Sequence, residues 1–404
     1  MMSAFDEKIQ PAQRIHDFKP YFFADLNRRI QTLKAQGMDV IRLDAGSPDL
    51  PPPDFIIQRL IESASRADAH GYASSGGSAA FRRAVSTYYR QRFGVELNPE
   101  SEVLALIGAK EGVFHLSQAL LNPGDVALVP DPGYPVYSAG GRIAGAEIYP
   151  MRLRAEQGWL PRLDDIPPEA ARRAKILWLN YPNNPTGAAA TMDFFAQAVA
   201  FARQWGVLIA HDAPYMEVGF DGYRAPSLLQ VDGAKDVAVE FNSLSKTANM
   251  AGWRVGMVVG NAQVIRLLAI YKSQVDSAGF LPIEEAAASA LMGDLSWIHA
   301  RNRIYQQRRD LAVDSLQACG FNVEKPHAAI YVWARLPGGY GDDMRFCARL
   351  LEHCGVSITP GSIYGGGGQG YVRLSLCTPE ERISTAMQRV RDFLSANKNG
   401  EDTL

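Results

Sequence analysis

From about residue 104 onward, short continuous apolar runs alternate with stretches of helical periodicity: VLALIG, VALVPD, KILWLN, VLIAHD, VAVEFN and RVGMVVG. Continuous rather than alternating apolar runs are what strands of a parallel sheet require when helices cover both faces. The stretches between them, such as residues 191–205 with Phe194, Phe195, Ala198, Phe201 and Trp205, repeat at helical spacing, so the middle of the chain reads as a layered α/β domain. Upstream, Tyr21, Phe22, Leu26, Ile30 and Leu33 predict a helix over 20–36 that ends at Gly37, and VIRLDAG predicts a short strand running into a turn. The three prolines of SPDLPPP exclude regular structure and stiffen a connection between domains. Asp54 opens a predicted amphipathic helix carrying Ile57, Leu60, Ile61 and Ala64, and a second helix with Phe81, Val85 and Tyr88 follows GYASSGG. After about residue 290 a long basic helix (297–318, with Trp297, Ile304 and Leu311) leads into FNVEKP, AAIYVWARL and YVRLSL, which read as a smaller α+β unit.

Composition narrows the partners. A chain of 404 residues with 47% hydrophobic content accommodates about two domains, one of which can be assembled from both ends. The formal charge is −2 and no block of like charge occurs, so neither a nucleic-acid groove nor a membrane surface is suggested, and the expected partner is a small molecule. Cys319, Cys347, Cys354 and Cys377 are widely spaced in apolar neighbourhoods and read as core thiols of a reducing cytosol, with metal binding or disulfides as the minority alternative. No signal-like apolar core opens the chain and no eighteen-residue apolar run occurs, so a soluble, cytoplasmic protein is expected.

In open parallel sheets ligands sit beyond the carboxyl ends of the strands, which makes the residues after each run the ones to inspect. VAVEFN is followed by Ser243, Ser245, Lys246 and Arg254. Burial lowers the pKa of a lysine and frees a nucleophilic amine, and hydroxyls with an arginine nearby suit a phosphate; the alternative is a surface lysine at a strand end. GAKEG (108–112, with Ala109 and Lys110) lies between strand and helix and suits an anion, or is an ordinary turn needing glycine. Asp212 ends VLIAHD, where a carboxylate needs a positive partner: a protonated pyridine nitrogen, a salt bridge, or a helix N-cap role instead. Tyr134 and Tyr215 are ring-stacking and hydrogen-bonding candidates, or core residues. Arg373 in YVRLSL is either a bidentate clamp for a substrate carboxylate or half of a structural salt bridge. GGGGQG (365–370) satisfies G-x-G-x-x-G but leads into a strand-like segment, so a dinucleotide site is rejected in favour of a flexible loop ahead of Arg373.

SLSKTANMAGWRVG, NNPTG, HDAPY, DPGYPVY and GAKEG, in this order and spacing, resemble the fold-type I pyridoxal 5′-phosphate-dependent aminotransferases of class I/II, over nearly the whole chain. The resemblance implies a PLP-dependent transferase-like α/β fold: an N-terminal arm and part of a small domain at 1–48, a large cofactor-binding domain at 49–288 with a mostly parallel sheet between helices, and the rest of the small α+β domain at 289–404. It implies a homodimer with sites at the subunit interface and no metal. Lys246 then matches the Schiff-base lysine and proton shuttle, Asp212 the partner of the pyridine nitrogen, Tyr215 and Asn184 ligands to O3′, and Tyr134 the ring-stacking residue. Ala109, Ser243, Ser245 and Arg254 match the phosphate cup, and Tyr72 the tyrosine that reaches the neighbouring subunit's phosphate. Arg373 matches the α-carboxylate clamp, with Asn184 and the Gly46 backbone beside it.

Within that class the motifs look most like the LL-diaminopimelate aminotransferase group, in which Tyr21 and Lys110 would contact substrate. Three departures bear on the substrate: Ala248 stands where that group usually has tyrosine, LDAGSPDLPPP replaces the usual LGIGDPD, and GYASSGG lacks a proline after the tyrosine. Alanine, glutamate, methionine or aromatic aminotransferases share the core residues, and a carbon–sulfur β-lyase uses the same lysine and clamp. A ligand-sensing regulator needs a DNA-binding helix pair, for which the segment before Tyr21 has no room.

Overall fold

The computed structural model describes residues 8–16, 18 and 21–397. After a two-residue strand, β1 (Ile41–Arg42), come the strands of the central sheet: β2 (Val103–Leu106), β3 (Val126–Asp131), β4 (Glu147–Arg152), β5 (Ala174–Leu179), β6 (Leu208–Asp212), β7 (Ala238–Ser243) and β8 (Gly256–Gly260). Their order is β2-β8-β7-β6-β5-β3-β4, and β8 alone runs antiparallel to its neighbours. Each of the six apolar runs is a strand. Successive side chains enter opposite layers, as a doubly covered sheet demands: Ile209 packs in one core with Phe195 and Val199 of the helix Met192–Trp205, while Ala210 packs in the other with Val113 and Leu116 of the helix Ala109–Leu120. The registers Leu179↔His211 and Asp212↔Phe241 bring the carboxyl ends of β5, β6 and β7 level, which is where the site lies.

The remaining strands, β9 (Asn322–Val323), β10 (Tyr331–Arg335), β11 (Val356–Ser357), β12 (Thr359–Pro360) and β13 (Tyr371–Ser375), follow in the last third of the chain. β10 and β13 pair antiparallel, flanked by β9 and β12, and β1 pairs parallel with β11. Ile41 and Leu43 therefore share one core with Val332, Leu350, Leu374 and Phe393, so residues from both ends of the chain are packed together. Among the described residues no helix is long and apolar enough to cross a membrane.

Four expectations need correction. Strand β4 is missing from the apolar runs because EIYPMR is an edge strand, mostly uncovered and tolerant of a proline. In the helix Asp54–Ala64 the fully buried positions are Ile56 and Ser63, whereas Ile61 is 51% exposed. In the helix Ser296–Ala318, Ile304 lies outward and the buried side carries Arg301, Arg308 and Arg309, each held by polar partners such as Asp49 for Arg308 (2.8 and 2.9 Å). The glycine run is not a loose loop: Gly366–Gly368 form a 3₁₀ turn, and the Gly367 N–H donates to Asp131 Oδ1 at 2.8 Å. Of the four free cysteines, Cys347 and Cys377 are buried and the other two are half-buried.

Candidate active site

A cavity of about 390 Å³ opens at the carboxyl ends of β5, β6 and β7. Ala109, Lys110, Tyr134, Asn184, Asp212, Tyr215, Ser243, Ser245, Lys246, Arg254, Arg373, Tyr21 and Gly46 all line it. Tyr72 does not; its side chain is 99% exposed. The segment after β1 brings Gly46 over the end of β7, and Lys246 Nζ donates to the Gly46 carbonyl oxygen at 2.5 Å. Removal from water, with Arg373 and Arg254 nearby, pulls the Lys246 pKa down to about 8, against an opposing effect of Cys377. The surface alternative for this lysine is thereby excluded.

Asp212 is buried and forms no ion pair with lysine or arginine among the described residues. Its Oδ2 accepts from the Tyr137 hydroxyl at 2.7 Å, and its Oδ1 has no hydrogen-bond partner. Burial pushes its pKa up to about 6 in spite of the Tyr137 hydrogen bond. A buried carboxylate oxygen without a donor is costly, and a protonated ring nitrogen is the partner it lacks. Tyr137, whose ring stacks on Trp178 at 5.0 Å, escaped the sequence reading because in DPGYPVY it looks like any helix-facing aromatic.

Arg373 makes no ion pair among the described residues, which removes the structural salt bridge. Its two Nη groups donate to Asn184 Oδ1 and to the Asp44 carbonyl, both at 2.8 Å, while its buried Nε has no partner. The guanidinium lies near two tyrosine rings, with Cζ 4.0 Å from the centroid of Tyr331 and 5.1 Å from that of Tyr364. Tyr215 and Tyr331 share a hydrogen bond between hydroxyls at 2.9 Å.

At the phosphate-sized end, the Ser243 hydroxyl accepts from the Ser245 N–H at 3.2 Å, and Arg254 adopts a left-handed backbone with φ of 58°. Gly108 makes room for it: a Cβ there would stand 2.2 Å from Arg254 Nη2. A cofactor with a phosphate, a ring nitrogen and an aldehyde fits these donors, the orphaned Asp212 oxygen and the Lys246 amine. Lys110 Nζ stands 4.8 Å from the ring centroid of Tyr21 on the same cavity wall. Two positioning groups were also missed. Asn180 Nδ2 donates to the Asp212 carbonyl at 2.6 Å, and Arg301 donates to the carbonyls of Lys246 and Thr247, both at 2.7 Å. Outside the cavity Glu111, His115 and Asp276 converge, but the Lys272 ammonium already bridges Glu111 and Asp276 (2.9 and 2.6 Å).

Comparison with known proteins follows the same lines. The profile of the family "Aminotransferase class I and II" matches residues 38–390. An LL-diaminopimelate aminotransferase from Desulforudis audaxviator is 49% identical over 95% of this chain and 97% of its own length, and one from Moorella thermoacetica is 46% identical over 96% and 99%. Among solved structures, substrate-bound BacF from Bacillus subtilis superposes with a TM-score of 0.92 at 37% identity, covering 96% of this chain and 98% of that one.

Proposed function

The chain belongs to the class I and II aminotransferases, enzymes that move an amino group between an amino acid and an oxo acid with pyridoxal 5′-phosphate, and on that premise we propose that its substrates are LL-diaminopimelate and 2-oxoglutarate. The observation that carries the assignment of the site is the presence of the Lys246 amine, the orphaned Asp212 Oδ1 and the Arg373 guanidinium on the walls of one cavity. The relatives named for LL-diaminopimelate support the substrate, as does the cationic Lys110 beside Tyr21 on the cavity wall, a charge suited to a second carboxylate.

In this reading Arg373, held by Asn184 and by the Asp44 carbonyl, receives the α-carboxylate and so aims the α-carbon at Lys246. Bound in the cavity, pyridoxal phosphate supplies the electron sink that makes the α-proton removable. Lys246, whose pKa is lowered to about 8, takes that proton at Nζ and would pass it to the cofactor's C4′ within the same half-reaction, the second half-reaction running the transfer in reverse. Asp212 Oδ1 would hold the cofactor's ring N–H, with Tyr137 donating to the other oxygen. Of the other lining residues, Tyr215 and Asn184 would hold the cofactor's O3′, Tyr134 would stack on its ring, and Ala109, Ser243, Ser245 and Arg254 would hold its phosphate.

The same proposal includes a homodimer in which Tyr72 reaches the partner's site. Its full exposure, with Phe55, Ile61 and Phe280 also 38–51% exposed, suits a surface that a second copy covers. It retains the division of the chain at 48/49 and 288/289, and a cytoplasmic location. Purified holo-protein should form glutamate from 2-oxoglutarate when LL-diaminopimelate is the donor. Release of pyruvate and ammonia from a sulfur-bearing amino acid with no oxo acid added would favour the β-lyase instead.

A further inference from the structure

Among the described residues, three that line the cavity carry a buried polar atom without a hydrogen-bond partner: Oδ1 of Asp212, Nε of Arg373 and the hydroxyl of Tyr364. Buried polar groups are nearly always paired in native proteins, so each orphan calls for a partner that arrives from outside the chain. The first faces the ring nitrogen of the cofactor and the second belongs to the carboxylate clamp. The third has no role in the reading above.

Tyr364 ends the short 3₁₀ segment Gly361–Tyr364 and is only 4% exposed. Its position is braced from several sides. The Tyr364 carbonyl accepts from the Gly133 N–H at 2.8 Å, its ring meets the edge of Trp333 at 6.1 Å, and its ring centroid lies 5.1 Å from the Arg373 Cζ. The Thr359 hydroxyl lies beside it and donates to the Asp44 carbonyl at 3.4 Å, and its contact with the Tyr364 hydroxyl falls short of a hydrogen bond of ordinary geometry. A phenol remains a donor throughout the neutral range.

We propose that Tyr364 is a substrate-binding residue: its hydroxyl donates a hydrogen bond to the carboxylate that Arg373 holds, while its ring forms one wall of the guanidinium slot. The inference rests on the assignment of Arg373 as the carboxylate clamp. It accounts for a braced, cavity-lining ring whose hydroxyl has no hydrogen-bond partner, and it adds a neutral donor to the cationic one so that the carboxylate is oriented as well as neutralised.

The test is Tyr364→Phe in the holoenzyme, which keeps the ring and removes only the hydroxyl. A lost hydrogen bond to a charged group weakens binding by about tenfold or more. The KM for glutamate and the calorimetric Kd for succinate, an unreactive dicarboxylate, should therefore rise by that factor, with kcat within about twofold of the parent. Because the hydroxyl is unpaired in the free protein, the thermal midpoint should stay the same or rise. Arg373→Gln is the reference variant. If it weakens both constants while a folded Tyr364→Phe leaves them unchanged, the Tyr364 proposal is overturned. If Arg373→Gln itself changes neither, the clamp assignment fails, and the role of Tyr364 falls with it.

Discussion

Nζ of Lys246 donates to the carbonyl oxygen of Gly46 at 2.5 Å, joining residues 200 apart in the chain. The contact shows how the site is assembled. Lys246 leaves the end of β7 in the central sheet, whereas Gly46 follows β1, whose Ile41, with Leu43 just beyond it, is packed with the C-terminal strands. The Lys246 amine is thus held at the seam between the two cores. A side chain at position 46 would collide with Tyr331 Oη, 2.1 Å from where its Cβ would stand, so glycine there keeps the seam closed.

In the proposed mechanism, Lys246→Ala removes the amine that moves the α-proton. Turnover should fall by about 10²–10⁴-fold or more, the range expected for a positioned general acid–base. The cup residues and Asp212 are untouched, so pyridoxal phosphate should still bind noncovalently, seen as cofactor that co-purifies and is lost on extended dialysis. Turnover within a few-fold of the parent would place the chemistry elsewhere.

The lowered pKa of Lys246 has a pH signature in the cofactor-free protein. Only the neutral amine is nucleophilic, so reductive trapping of Lys246 by pyridoxal phosphate should accelerate with rising pH and level off above about 8. A rate still climbing toward pH 10 would indicate a lysine with the ordinary ammonium pKa, open to water.

Asp212→Ala leaves Tyr137 without its acceptor and the cofactor's ring nitrogen without a carboxylate. The apparent Kd for pyridoxal phosphate should rise by about tenfold or more, since a charge-assisted hydrogen bond is lost. Turnover should fall by about 10²-fold or more with the loss of a preorganised charge. Fluorescence titration with cofactor and steady-state assays read the two effects separately.

Arg301 acts below the site. It is 3% exposed and donates to the carbonyls of Lys246, Thr247 and Glu217 at 2.7, 2.7 and 2.6 Å. Arg301→Met would leave the Lys246 and Thr247 carbonyls without this donor, while the Glu217 carbonyl keeps Asn302 Nδ2 at 2.9 Å, at a cost of about 2–4 kcal/mol. The urea midpoint of the variant should drop accordingly, and any activity that remains should show a lower kcat because the Lys246 backbone is no longer anchored.

Much of this was legible in the chain because the physics is local. Continuous apolar runs mark buried strands whatever surrounds them, and all six became strands of the central sheet. The residues after those runs converge on one cavity because a parallel sheet places its carboxyl ends together. What the pattern could not show depends on tertiary partners. The buried face of the helix Ser296–Ala318 holds arginines satisfied by distant groups, Asp49 and Asp221 among them, so hydrophobic periodicity pointed to Ile304 and Leu311 instead. The helix Asp54–Ala64 carries apolar residues around more of its circumference than one contact buries, and periodicity alone does not say which side the fold covers. Tyr137, Arg301 and Tyr364 matter through single hydrogen bonds, made or missing, across 54 or more residues in the first two cases. No spacing rule records those.

The measurement that tests the central claim most directly is a half-reaction screen: single amino acids are added to the purified holo-protein and the absorbance of the bound cofactor is followed. A fast change with LL-diaminopimelate or glutamate, and little with neutral or aromatic amino acids, is the predicted result. A response led by alanine, methionine or aromatic amino acids, with none to LL-diaminopimelate, would contradict it.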